Sequence, residues 1–248
     1  ERAVYDADNQ QWLIYTDTGE VVAARYFIMA TGCLSVSKDL DIPGTDTFQG
    51  PSYVTGLWPH KGVDFTGQKV AVIGTGSSAI QSIPLIAEQA TAMTIYQRTP
   101  TYSMPAKNRP LDEDEIAEMK ANYPSYRDEQ KLAAAAIVDP PRSLESWHMV
   151  DEEERAHRYD AAWNAGLLIA MQSTFNDIQL DQEANNHISR YIHRRIRALV
   201  NDPETAEALL PQSYPFATKR PCLDTNYYET FNKDSVQLVD LQQTPILE

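Results

Sequence analysis

Glycine is scarce in this chain, with 10 residues in 248, and cysteine is nearly absent, with two. Basic residues are short as well: 21 Lys and Arg stand against 35 Asp and Glu, a formal net charge of −14. Each shortage excludes something. Cys33 and Cys222 lie far apart, so the chain is no disulfide scaffold. Two isolated cysteines read as reduced thiols of a cytoplasmic protein, with a bridge between them left open on sequence alone. No Cys/His cluster has metal-ligand spacing. An acidic chain is repelled by a phosphate backbone, which argues against nucleic acid as a partner. No apolar run is long enough to span a membrane, and no basic-then-apolar stretch of the signal-peptide kind occurs. What remains is ordinary globular composition, 42% hydrophobic and 23% charged.

With so few glycines, their placement is informative. Gly74 and Gly76 fall within residues 69–99, KVAVIGTGSSAIQSIPLIAEQATAMTIYQRT, around which the chain is organised. Val70, Ala71, Val72 and Ile73 form an unbroken apolar run, the pattern of a parallel strand buried on both faces. Gly74-Thr75-Gly76-Ser77-Ser78-Ala79 follows and fits G-x-G-x-x-G/A. The first glycine allows a tight turn and the second lets backbone approach a pyrophosphate. The small Ala79 lets a helix lie close to the strand. Ile80, Ile83, Leu85 and Ile86 give that helix an apolar side, and Pro84 is expected to kink it. Met93-Thr94-Ile95-Tyr96 reads as the next strand. At its end, a cofactor with a free ribose 2′-hydroxyl usually meets an acid. This chain has Gln97-Arg98-Thr99 instead. A guanidinium and a hydroxyl suit a 2′-phosphate, so the expectation is NADP rather than NAD.

Around this unit the chain reads as follows. Residues 11–16 alternate as a strand, Gly19 and Glu20 make a turn, and 21–29 form a second run ending in Ala30-Thr31-Gly32. Read by spacing, that ending is a strand leaving into a glycine turn; small residues there could also let backbone lie against a cofactor. A domain boundary is expected near Phe48. In the Gly- and Pro-rich stretch that follows, Phe48 and Trp58 would be apolar anchors packed between domains, and His60 reads as a surface residue. After a proline-punctuated loop, 101–110, a mostly helical region is expected. It has an acidic start at Leu111-Asp112-Glu113-Asp114-Glu115, helix-forming alanines at 133–136, a helix over 151–172 and another over 187–200. Arg190, Arg194, Arg195 and Arg197 read as a solvated helix face. In Phe216-Ala217-Thr218-Lys219-Arg220-Pro221-Cys222 two adjacent cations precede a proline. In an extended segment they would point opposite ways, one toward a cofactor phosphate and one toward a reaction centre; otherwise they are a surface pair. Residues 227–231 read as a short aromatic helix and 236–240 as a further strand.

Taken together, these stretches resemble the type I Baeyer–Villiger monooxygenases, nearest to the phenylacetone and steroid monooxygenase branch. The resemblance is carried by Ala30-Thr31-Gly32, Phe48-x-Gly50…Trp58-Pro59, the Gly74–Gln81 motif, Gln97-Arg98-Thr99-Pro100, Lys219-Arg220 and Asp224-x-x-Tyr227-Tyr228-Glu229-x-Phe231-Asn232. It implies an enzyme using NADPH, FAD and O2 to turn ketones into esters or lactones through a C4a-peroxyflavin. Within it, Gly74, Thr75, Gly76, Ser77, Ser78, Ala79, Gln81 and Trp58 would belong to cofactor binding. Arg98, Thr99 and Lys219 would hold the 2′-phosphate, and Arg220 would be the active-site arginine beside the flavin peroxide. The resemblance implies an α/β fold: a Rossmann-like NADP-binding domain with a parallel sheet (48–110 and 215–248), a large helical insertion (111–214) and a partial β-rich fringe of an FAD-binding domain (1–47). Two departures stand out. The family's fingerprint histidine position is Val54 here, and there is no second G-x-G-x-x-G for FAD. The chain is therefore expected to be a piece of a longer enzyme that binds NADP but retains little FAD by itself. A heteroatom-oxidising flavin monooxygenase and an NADP-binding module without activity are the alternatives.

Overall fold

Alternating side chains and one glycine turn set the first elements. The computed structural model describes residues 2–32, 34–38, 41–133, 136–138 and 140–247. Strands β1 (Arg2–Asp6), β2 (Gln11–Tyr15) and β3 (Val21–Ala24) form an antiparallel meander in the order β1-β2-β3. The β2–β3 turn closes through Thr16 N to Glu20 O at 3.0 Å. The sequence run reaches Met29, but pairing stops where Ala24 faces Trp12, one residue short of the start of β2. Residues beyond it find no strand to pair with among the described residues, and Tyr26, Ile28 and Met29 are exposed. Cys33 lies outside the described residues.

The chain divides into two compact units, Glu1–His60 and Lys61–Glu248. The division falls after His60 rather than near Phe48. The Gly- and Pro-rich stretch belongs to the first unit, where Trp58 stacks against Tyr53 with ring centroids 5.8 Å apart.

The second unit opens with β4 (Lys69–Ile73), α1 (Ser77–Gln89), β5 (Ala92–Gln97) and a short β6 (Ser103–Pro105). Helices α2 (Glu113–Ala121), α3 (Tyr123–Leu132), α4 (Glu152–Ala165), α5 (Gln182–Leu199) and α6 (Pro203–Ala208) follow. The chain then returns through β7 (Cys222–Asp224), α7 (Tyr227–Thr230) and β8 (Val236–Asp240). Strands β4, β5 and β8 make a parallel sheet with β5 in the middle. The fold is mixed α/β with parallel sheets. Strand β4 differs from expectation: Val70 and Val72 are half-buried, with Val72 packed against the core, while Ala71 and Ile73 on the other face are exposed; the central strand β5 shows the same alternation. In α1, Ile80, Ile83, Pro84 and Ala87 face the core, and Leu85 points outward, 62% exposed. The helix runs through Pro84 to Gln89.

The helical boundaries follow their caps. Asp112, Asp151, Asp181 and Asp202 each accept a first-turn backbone N–H of α2, α4, α5 and α6. Helix α4 stops at Ala165, not Gln172, because Gly166 takes φ +70° and a side chain there would strike Ala106 and Lys107. Helix α3 ends at Leu132 with no buried residue, and Ala136 has a positive φ of 57°. Of the alanine run, Ala134 and Ala135 lie outside the described residues. Helix α5 starts five residues earlier than expected, at Gln182, on the cap supplied by Asp181. No helix among the described residues is long and apolar enough to cross a membrane.

The helical region and the sheet share one core. It runs from Ile80, Ile83, Met93 and Ile95 to Tyr159, Ile188, Tyr191, Ile192 and Ile196, and on to Phe216, Tyr227 and Tyr228. At its base β6 pairs in parallel with β7, Ser103 opposite Cys222 and Pro105 opposite Asp224. The buried Ser103 hydroxyl donates to Asp224 Oδ2 at 2.5 Å, and Asp224 Oδ1 accepts the Tyr227 N–H at 3.1 Å. Burial pushes the Asp224 carboxyl above its ordinary value, against the opposing effect of these two bonds.

Two stability tests follow. Asp224→Ala strands the Ser103 O–H and the Tyr227 N–H inside the protein, and should cost about 2 kcal/mol in urea denaturation. An acid whose folded value is raised weakens the fold as it ionises, so this contribution falls as pH climbs through and above the normal carboxylate range. Asp224→Asn keeps an acceptor and removes the charge. Its stability relative to the native chain should improve between about pH 4 and about pH 7, and a pH-independent difference would refute the account.

Candidate dinucleotide site

The glycine turn connects β4 to α1 and is tied to the end of β5. Gly74 N donates to Tyr96 O at 2.9 Å, and the buried Thr75 hydroxyl donates to Thr99 O at 3.2 Å. Gly74 has φ +98°, a conformation that strains any L side chain. Gly76 is different. Its backbone is ordinary (φ −82°, ψ 179°), and a Cβ built there would meet nothing within 4 Å. Nothing among the described residues requires a glycine at 76. Gly76 is also the N-cap of α1 and offers no side-chain cap, and the first turn has no acid. The amides that open α1 therefore lack the Asp partner that caps α2, α4, α5 and α6. Such an end attracts an anion.

The chain after β5 is held carbonyl by carbonyl. Arg98 O accepts from Gln242 Nε2 at 2.8 Å, Thr99 O from Thr75, and Pro100 O from the Tyr214 hydroxyl at 3.0 Å. Thr101 O accepts from the Tyr228 hydroxyl at 3.5 Å, and Tyr102 O from Cys222 N at 2.8 Å. Each donor comes from a different part of the second unit. The Arg98 side chain stays exposed. Gln97, by contrast, is 2% exposed and donates to Ala208 O at 2.7 Å, so it anchors the sheet to α6 and does not face the site.

Lys219 and Arg220 arrive from the other side. The expectation of an extended segment with opposed side chains is not met. Thr218 N bonds Pro215 O at 3.2 Å and Ala217 has φ +66°, so the chain turns and folds Lys219 back. Its ammonium sits 4.4 Å from the centre of the Tyr214 ring. Arg220 is exposed just before the buried Pro221 and β7. Among the described residues, Arg98, Lys219 and Arg220 form no ion pair with a carboxylate.

The second unit thus places Gly74, Thr75 and Gly76 on the turn after β4, Ser77, Ser78 and Ala79 in the first turn of α1, and Arg98 and Thr99 after β5, where Thr75 and Tyr214 hold the backbone; Lys219 lies on the Tyr214 ring and Arg220 just before β7. Gln81 does other work: its amide donates to Leu223 O at 3.2 Å and fastens α1 to β7. Trp58 belongs to the first unit. Of the α5 cations, Arg197 pairs with Glu207 and Arg195 lies 3.6 Å from Asp160, while Arg190 and Arg194 are exposed. The sequence did not single out Tyr214, Gln242 or the Thr75 hydroxyl as props. Their partners are backbone carbonyls, which leave no pattern in side-chain spacing.

Two surface depressions, one beside Ser146 and Asn176 and one beside Ser35 and Thr45, take in none of the site's residues. The buried Cys222 is a free thiol whose pKa burial pushes up.

No family model matches the chain. It is, however, 37% identical to a Baeyer–Villiger monooxygenase of Pseudooceanicola batsensis, over 99% of this chain and 45% of that protein. A solved steroid monooxygenase bound to NADP matches it with a TM-score of 0.89 and 42% identity, over 98% of this chain and 46% of that one. The chain is homologous to the Baeyer–Villiger monooxygenases. It spans about half the length of the curated relatives it matches. Phenazine N-monooxygenase of Lysobacter antibioticus is as similar, at 37% identity over all of this chain and 45% of that protein.

The two glycines of the Baeyer–Villiger-like turn should separate on mutation. Gly74→Ala should lower stability by about 1–2 kcal/mol through its backbone alone, whereas Gly76→Ala should stay within about 0.5 kcal/mol of the native chain. Denaturant midpoints of the two variants measure both effects. A Gly76→Ala chain as damaged as Gly74→Ala would overturn the view that nothing among these residues requires a glycine at 76.

Proposed function

We propose that this chain is the NADP-binding part of a flavin-dependent Baeyer–Villiger monooxygenase. In this reading the amides at the start of α1 and the glycine turn receive the pyrophosphate. Arg98, Thr99 and Lys219 surround the ribose 2′-phosphate. Arg220, fixed by Pro221 at the entry to β7, extends toward the reaction centre, where a cation favours the nicotinamide's correct placement and opposes negative charge that builds up there. When bound, NADPH supplies a hydride and FAD the oxygen chemistry by which O2 and a ketone give an ester or lactone. Flavin retention belongs to the full-length enzyme. The division of labour proposed is a pyridine-nucleotide domain over 61–110 and 215–248, a helical insertion over 111–214 and an FAD-domain fringe over 1–60, with the boundary taken after His60. A free, buried Cys222 supports a reducing, cytoplasmic setting.

The observation that carries this reading is the set of three cations. In a chain of net charge −14, Arg98, Lys219 and Arg220 are exposed and, among the described residues, pair with no carboxylate, and the start of α1 has no side-chain cap. Cations left unpaired at such a place suit a polyanionic ligand. A second reading, oxidation of a heteroatom, is favoured by the likeness to phenazine N-monooxygenase. The full-length enzyme offered a cyclic ketone and an N-heteroaromatic separates the two by product.

Titration of the chain with NADP and with NAD tests the cofactor. NADP should bind at least about tenfold more tightly, and Arg98→Ala should remove most of that preference while leaving NAD affinity within about twofold. Equal binding of both nucleotides by the native chain would reject the assignment.

A further inference from the structure

We propose that Tyr214 is a positioning residue for nucleotide choice: it holds Lys219 in place beside the Arg98-Thr99-Pro100 segment, so that the ammonium is set for a 2′-phosphate before the ligand arrives. The inference rests on the preceding assignment of Arg98, Thr99 and Lys219 to that phosphate.

Tyr214 makes three contacts that together fix one geometry. Its hydroxyl donates to Pro100 O at 3.0 Å, which ties it to the segment carrying Arg98 and Thr99. Its ring meets Tyr102 edge-on, with centroids 5.6 Å apart at 88°, which sets the plane of the ring. Its face receives the Lys219 ammonium at 4.4 Å. Tyr102 is in turn fixed by a T-shaped contact with Phe216 at 5.2 Å and by its hydroxyl on Ser189 at 3.2 Å. Tyr102 is 2% exposed and Phe216 1%, so the ring that receives Lys219 is seated on the core.

The physical need is plain. Lys219 is exposed, and its four-carbon stem otherwise samples many rotamers. No carboxylate among the described residues holds it. A carboxylate could not do this job, because it would neutralise the charge the phosphate needs. An aromatic face orients an ammonium and leaves its charge unbalanced. The turn at Ala217 delivers Lys219 onto that face, five residues after Tyr214 itself. Ring and cation are therefore part of one local loop, and the hydroxyl sets that loop against the end of β5.

The test is nucleotide binding by the native chain and four variants, read by calorimetry with NADP, NAD and 2′,5′-ADP. Tyr214→Leu removes both ring face and hydroxyl. It should weaken NADP and 2′,5′-ADP by about tenfold, with NAD within about twofold. Tyr214→Phe keeps the face and loses the tie to Pro100, and should weaken NADP by about threefold. Tyr214→Trp restores a face for the cation and should recover part of the loss. Lys219→Met isolates the underlying assignment. If it leaves the NADP-to-NAD ratio unchanged, the 2′-phosphate assignment fails and the proposal with it. If Lys219→Met collapses the ratio but the Tyr214 variants leave it intact, or lower NADP and NAD alike, the proposal alone is overturned. Should Tyr214→Leu not fold, as near-ultraviolet circular dichroism would show, Tyr214→Phe decides by the same criterion.

Discussion

The second unit depends on one buried contact, the Ser103 hydroxyl on the Asp224 carboxylate, which joins residues 121 apart in sequence. Between them the chain leaves the sheet, builds five α-helices among the described residues and comes back. Without a fixed point of return, the closing of so long a loop would carry a large entropic cost and place nothing accurately. The β6–β7 pairing supplies the register, and Asp224 extends it by accepting the first amide of α7. Everything the site needs from the far end of the chain is measured from this point. Arg220 lies just ahead of β7, Lys219 one residue further back, and β8 follows α7 into the sheet beside β5. The carboxyl is costly to bury, as its raised pKa records, and the hydroxyl and the amide offset only part of that cost.

Much of this architecture is legible in the residues. The glycine turn, the strands on either side of it and the final strand are local patterns, and each lies where its pattern puts it. What the sequence hides is long-range. The apolar run of β4 reads as doubly buried because an apolar run does not say whether both faces of the sheet are covered. The run from Val21 continues to Met29 in sequence, yet pairing stops at Ala24, opposite Trp12 and one residue short of the start of β2. Leu85 is apolar but lies on the side of α1 away from the arc of Ile80, Ile83, Pro84 and Ala87 that meets the core. Gln81 reads as a ligand through its place in a motif, and the structure uses its amide, like that of Gln97, as a fastener to a carbonyl far along the chain. The homology to Baeyer–Villiger monooxygenases was readable for a different reason. It rests on several motifs at once, and their joint occurrence carries more information than any single periodicity.

The pair Lys219-Arg220 shows how neighbours in sequence come to differ in surroundings. A strand would separate them by alternation. The chain uses a turn, with Ala217 at positive φ, and this returns Lys219 onto Tyr214 while Arg220 continues toward β7. One cation thus gains an aromatic support and the other a buried proline as its base. The two are held by different elements and can be altered one at a time.

An acidic chain faces a particular difficulty in keeping such cations available, since its own carboxylates are the nearest counter-ions. The structure resolves this by engaging acids elsewhere. Asp112, Asp151, Asp181 and Asp202 cap helices, while Glu115, Glu154 and Glu207 hold Arg109, Arg158 and Arg197. The acid beside Arg98 in the sheet is Asp240, which lies opposite Gln97 in register. Its two oxygens accept from the Gln242 amide at 2.9 Å and from Gln243 Nε2 at 3.2 Å, so it closes its own turn. Gln242 then reaches across with its side chain to fix the Arg98 carbonyl. The same turn that occupies the Asp240 oxygens thereby holds the backbone that carries the guanidinium. Donors close at hand take up these carboxylate oxygens, and among the described residues none of the acids pairs with Arg98, Lys219 or Arg220.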